Sequence, residues 1–92
     1  RYSVKKMLKP VNFHYHSPDA RKVCIVGDFN DWKPDAHPMK RKTGGFWNAQ
    51  ITLPHGHHRY HFLVDGTVAL DPRANGEVLN DKKERVSLIA VS

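Results

Sequence analysis

A single cysteine, Cys24, stands in the 92-residue chain, which excludes a disulfide framework and any zinc site built on paired cysteines. No run approaches the roughly 18 apolar residues of a membrane span, and no basic-then-apolar leader of the signal-peptide kind opens the chain. Helical periodicity is weak throughout, so the helical layers of a dinucleotide-binding fold have no source. The length also falls far short of the roughly 250 residues of a (β/α)₈ barrel. Acidic residues are few: nine Asp plus Glu face fifteen Lys plus Arg, a formal charge of +6, with seven histidines beside them. That surplus favours solubility and some attraction for polyanions, without naming a partner.

What is present suffices for one small core. The chain is 39% hydrophobic and 10% aromatic, which excludes a disordered tail and suits one domain burying about 60–65% of its unfolded surface. Cys24 lies in the apolar run Val23-Cys24-Ile25-Val26 and reads as a small buried hydrophobe. A reducing, cytoplasmic setting is expected. The chain opens Arg-Tyr-Ser rather than with Met, which points to a module of a longer protein.

Short apolar or alternating runs recur about every 8–12 residues between Gly, Pro, Asn and Asp clusters, as in a sandwich or barrel. The spacing predicts seven strands, over residues 11–16, 22–27, 37–42, 46–53, 57–64, 67–70 and 85–91. Asp65-Gly66 and Gly44-Gly45 mark hairpin turns, since these positions tolerate positive φ. Residues 73–84 show no strong period and are expected to form a loop with at most one helical turn. Residues 1–10 read as a basic N-terminal extension and 11–92 as the folded module. Alternation places Trp47, Ala49, Ile51 and Leu53 on one face and Asn48, Gln50 and Thr52 on the other. Tyr60, Phe62 and Val64 fall inward and Arg59, His61 and Leu63 outward. Val23 with Ile25, Phe13 with Tyr15, and Val86 with Leu88 extend the apolar side. The fold class expected is all-β, an immunoglobulin-like antiparallel β-sandwich of about seven short strands.

Catalysis finds little purchase. There is no Gly-x-Ser-x-Gly elbow. Asp28 and Asp31 flank one turn rather than facing each other across a cleft, as paired hydrolytic carboxylates must. His55, His57, His58 and His61, with His14 and His16, could offer imidazoles to a metal, yet no four-ligand spacing is present and a polar turn explains them as well. Neither a metal nor another cofactor is expected. Lysine clusters at Lys5-Lys6-Lys9, Lys40-Arg41-Lys42 and Lys82-Lys83-Arg85 fit nucleic acid by charge alone; they lack interleaved aromatics and read as solvated edges. Carbohydrate is the remaining polar ligand. A sugar presents a flat C–H face and a rim of hydroxyls, so its site needs an exposed aromatic platform with hydrogen-bonding neighbours. Trp32, in Gly27-Asp28-Phe29-Asn30-Asp31-Trp32, lies in a turn too polar to be core and suits that role, whereas Trp47 has apolar neighbours at two-residue spacing and reads as core.

The series Val26-Gly27-Asp28-Phe29-Asn30-Asp31-Trp32, Pro38-Met39, Gly45-Phe46-Trp47, Leu53-Pro54-His55-Gly56, Tyr60-His61-Phe62-Leu63-Val64-Asp65-Gly66 and Asp71-Pro72 resembles the family 48 carbohydrate-binding modules over residues 11–91. That family includes the glycogen-binding domain of the AMP-activated protein kinase β subunit and the early set domains of branching and debranching enzymes. The resemblance implies a non-catalytic domain that binds α-1,4-glucans such as glycogen, starch and maltooligosaccharides. It implies that Trp32 stacks on a glucose ring, and that His61 stands where the kinase subunits carry a sugar-contacting lysine. Asn30, Lys33, Leu79 and Asn80 are the flanking contacts it suggests. The sequence departs from the family at Val68, where a second stacking tryptophan is usual, and at Val78-Leu79-Asn80-Asp81, which replaces a Leu-Gly-Thr-x-Asn loop. One aromatic platform instead of two predicts weak binding, with Kd about 0.1–10 mM, or about −3 to −5.5 kcal/mol. A catalytic domain or another protein is the further partner implied. The alternative is a degenerate early set domain that serves as a scaffold and binds no sugar.

Overall fold

The computed structural model describes residues 8–91; residues 1–7 of the expected basic extension lie outside the described residues. Nine strands follow in order: β1 (Leu8–His16), β2 (Val23–Gly27), β3 (His37–Pro38), β4 (Lys40–Arg41), β5 (Phe46–Pro54), β6 (Gly56–Val64), β7 (Thr67–Ala69), β8 (Gly76–Leu79) and β9 (Arg85–Val91). They build two antiparallel sheets. One has three strands in the order β1-β5-β4; the other has six, running β3-β2-β6-β9-β8 with β7 paired to the far end of β6. The result is the all-β sandwich that the alternation predicts.

The core forms where the inward sets of both sheets meet. Phe13 of β1 and Trp47, Ile51 and Leu53 of β5 pack against Val23 and Ile25 of β2, Tyr60 and Phe62 of β6 and Val91 of β9. Phe13 meets Tyr60 edge-on with ring centres 5.1 Å apart, and Tyr15 leans on Phe62 at 4.9 Å. Each fully buried side chain of this size stabilises the fold by about 1.5–3 kcal/mol relative to exposure. Trp47 Nε1 donates to the Ser17 carbonyl at 3.0 Å, so its indole is satisfied within the core. Cys24 is buried as expected, and that burial raises its thiol pKa.

Two deep hydrogen-bonded anchors hold the loops. Tyr60 Oη donates to Asp71 Oδ2 at 2.6 Å, and the Asp71 amide donates to Ser87 Oγ at 2.8 Å. Burial, followed by the Asp71 carboxylate, pushes the Tyr60 phenol well above its usual pKa. At the hairpin, Asp65 (φ 50°) and Gly66 (φ 85°) are both left-handed, as the Asp-Gly pair predicts. The Asp65 carboxylate accepts from the Arg21 and Lys22 amides at 2.8–3.2 Å, tying this turn to the start of β2.

The structure corrects the sequence reading in three places. The expected strand 37–42 is two strands in different sheets: β3 pairs with β2, whereas β4 pairs with β5. The chain crosses between sheets at buried Met39, whose amide donates to the Val23 carbonyl at 2.8 Å. Residues 76–79, expected as loop, form edge strand β8, whose four residues, Gly-Glu-Val-Leu, are too few to show a hydrophobic period. In β9 Ser87, Ile89 and Val91 face the main core, while Val86 and Leu88 turn to the other face; Val86 is buried there, as expected of it, and Leu88 lines the outer surface. Ser87 takes an inward place because its hydroxyl receives the Asp71 amide, so a polar residue stands where alternation looks for an apolar one.

Candidate functional site

The outer face of the six-stranded sheet carries a cleft of about 1020 Å³. Its floor is the outward row of β6, His57, Arg59, His61 and Leu63, with Leu88 of β9 beside it. One wall is the turn after β2, bearing Asp28, Trp32 and Pro34; the other is the end of β8 with the loop beyond it, bearing Val78, Asn80 and Lys82.

The first wall is built from the Gly27–Asn30 segment. Gly27 ends β2 in close contact with β6: a Cβ there would lie 2.6 Å from the Phe29 ring and 2.7 Å from the Arg59 carbonyl oxygen. The next residues, Asp28–Asn30, form one 3₁₀ turn. Asn30 holds it from beneath: its Oδ1 accepts from the Gly27 amide at 3.0 Å, and its Nδ2 donates to the Ile25 carbonyl and to His37 Nδ1. Asp31 and Trp32 then both adopt left-handed backbone, with φ of 57° and 58°. Such a conformation in a bulky non-glycine residue costs roughly 1–3 kcal/mol and persists where the surroundings over-determine it. The Trp32 amide is fixed by the Gly27 carbonyl at 2.9 Å.

The result is a half-buried indole that leans over the floor. Its ring centre lies 5.6 Å from that of His61, the planes inclined at 35°. Beside it, Asp28 Oδ2 accepts from the Arg59 amide at 3.1 Å, and Asp28 Oδ1 lies 3.5 Å from His58 Nδ1, whose ring also contacts the Pro54 carbonyl through Nε2. On the opposite wall, Asn80 Oδ1 accepts from the Lys82 and Glu84 amides at 2.9 Å, so this side chain shapes the loop that closes the cleft.

Of the six residues singled out in the sequence, the fold brings three into one cleft: Trp32, His61 and Asn80. Asn30 is only 9% exposed and its amide is committed to protein partners, which puts it under the Trp32 turn rather than in the cleft. Lys33 is exposed outside the lining, and Leu79 is 57% exposed between Val78 and Asn80, projecting from the other side of the edge strand. Val68 pairs with Leu63 on the cleft's side of the sheet and is itself 56% exposed at its margin. Arg59, His57 and Leu88 join the lining without having been singled out. The alternation that turns His61 outward also turns Arg59 and His57 outward, so this signal was available. For Leu88 it was not, because of the phase of β9. Among the described residues, no group of three or more His, Cys, Asp or Glu side chains could hold a metal ion. None of their helices is long and apolar enough to cross a membrane.

The family model described as carbohydrate-binding module 48 (isoamylase N-terminal domain) matches residues 2–86. The chain belongs to this family. The module is 39% identical over 72 residues to the 1,4-alpha-glucan branching enzyme GlgB 2 of Xanthomonas campestris pv. campestris (strain 8004), covering 73% of this chain and 10% of that protein. It is 32% identical over 83 residues to the 1,4-alpha-glucan branching enzyme GlgB of Rhodopseudomonas palustris (strain HaA2), covering 90% of this chain and 11% of that protein. Against the GlgB of Deinococcus radiodurans it is 43% identical over 56 residues, 61% of this chain and 8% of the enzyme. The module thus spans about a tenth of the length of the relatives it matches.

Proposed function

We propose that the module binds α-1,4-glucan chains without acting on them, holding one chain along the outer face of the six-stranded sheet. Trp32 stacks on the flat face of a glucose unit. His61, Arg59 and Asn80 supply polar atoms to the hydroxyl rim, and Asn30 positions the platform from below. The observation that carries this reading is the half-buried Trp32 indole, kept over a cleft of mixed polar and apolar lining by two consecutive left-handed residues. The indole rests on the cleft floor through the tilted contact with His61, and its open face suits the C–H face of a pyranose ring.

Binding is weak, in the range of about 0.1–10 mM, because Val68 offers neither the area nor the π-face of a second tryptophan. In its wider setting the module lies beside a glucan-active catalytic domain in the cytoplasm and keeps substrate chains near it. The branching-enzyme relatives support the catalytic neighbour. Electrophoresis through glycogen-containing gels tests the reading: the wild-type chain is retarded, and Trp32→Ala is retarded clearly less. An unretarded wild-type chain would contradict sugar binding and leave a scaffold domain; retardation undiminished in Trp32→Ala would contradict this site.

A further inference from the structure

The opposite face of the sandwich has its own chemistry. On the three-stranded sheet the outward residues are Asn12, His14 and His16 of β1 and Phe46, Asn48 and Gln50 of β5, with Lys40 of β4 paired beside Asn48. None of these three strands contains an Asp or Glu. The register sets the polar heads in rows. His14 Nδ1 meets Asn48 Oδ1 at 2.7 Å, and Gln50 Nε2 donates to Asn12 Oδ1 at 3.1 Å. Phe46 is 41% exposed and packs on His16 with ring centres 4.5 Å apart, while His16 Nε2 is held by the Gly44 carbonyl at 2.9 Å. Over Asn12, His14, Asn48, Gln50 and Lys40 lies a shallow hollow of about 380 Å³.

These pairings fix the side-chain heads and still leave hydrogen-bonding capacity among the described residues. Asn48 Nδ2 and Asn12 Nδ2 remain as donors, and Gln50 Oε1 and His14 Nε2 as acceptors. A polyanion asks for donors alone. A sugar hydroxyl both donates and accepts, so a mixed, preoriented array beside an exposed aromatic ring suits a polyhydroxyl ligand. We propose that this face is a second, independent glucan-binding surface, with Phe46 as its platform and Asn48, Gln50 and Asn12 as its hydrogen-bonding rim. The two surfaces lie on opposite sides of the sandwich, so one module bridges two chains of a branched polymer and gains avidity on it that a short oligosaccharide does not show.

Titration of the ¹⁵N-labelled chain with maltoheptaose tests this, read on the side-chain NH₂ resonances of Asn12, Asn48 and Gln50 and on the indole of Trp32. Two groups of resonances are expected to move. In Trp32→Ala the amide group still titrates with an unchanged Kd. In Phe46→Ala, or in Asn48→Ala should that variant fold better, the Kd read there rises about tenfold while the Trp32 indole titrates as before. Movement of Trp32 alone would overturn the second surface and leave the first. Movement of the amides alone would overturn the first and leave the second. Amides that respond to tripolyphosphate and not to maltoheptaose would overturn the proposal in favour of an anionic ligand held by Lys40 and Lys42.

Discussion

Trp32 combines two features that seldom coincide, a bulky aromatic side chain and a left-handed backbone. The conformation favours glycine, so Trp32→Gly removes the ring and relieves the strain together. The expected outcome is a melting temperature equal to or above that of the wild type with glucan retardation clearly reduced; a marked fall in melting temperature would mean that the indole is packing the fold. Tyr60 belongs to a different class. Its hydroxyl is the partner of buried Asp71, and Tyr60→Phe leaves that carboxylate a donor short, at a cost of about 1–3 kcal/mol in urea unfolding. The phenol also fixes the sign of the alkaline response. Folding raises its pKa, so the folded chain keeps a proton that the unfolded chain releases near pH 10. Its stabilising contribution is complete below that pH and declines as pH rises above it. The slope of stability against pH beyond about 10 is therefore expected to be shallower in Tyr60→Phe.

At the level of elements, the joint between β2 and β6 sets the site, because the same strand end that touches Arg59 launches the Trp32 turn. Gly27→Ala forces a methyl group into the Phe29 ring and the Arg59 carbonyl, with about 1–3 kcal/mol lost. Because the clash displaces the turn, sugar affinity is expected to fall more than stability does, and calorimetric titration beside thermal unfolding separates the two. The elements were legible in the sequence where a period was strong. Alternation in residues 46–53 and 57–64 located β5 and β6, and the Asp65-Gly66 pair located their neighbouring hairpin. It failed where physics other than hydrophobic period decides. A buried serine bonded to Asp71 took an inward place in β9, a one-residue crossover at Met39 hid the change of sheet, and β8, four residues long, was too short to carry a period. For the cleft, a turn too polar for core flagged Trp32. The commitment of the Asn30 amide to its own loop depends on contacts seven residues apart, which spacing alone does not reveal.

For the whole molecule, the formal charge of +6 and the neutrality of glucans pull apart in experiment. Sugar binding releases no counterions, so Kd for maltoheptaose is expected to change less than about twofold between 50 and 200 mM salt. Any adventitious DNA binding driven by the basic surplus falls steeply over the same range. A glucan affinity that collapsed with salt would point to a charged ligand instead.

The sharpest test of the account lies in the two indoles, one leaning over the cleft and the other sealed in the core at 4% exposure. In a ¹H–¹⁵N spectrum their Nε1–H resonances are two separate peaks, assigned by the one missing from Trp32→Ala. Titrated with maltoheptaose, the Trp32 peak should move along a saturable curve while the Trp47 peak stays in place. A stationary Trp32 peak at concentrations where the chain demonstrably binds the sugar would contradict the account.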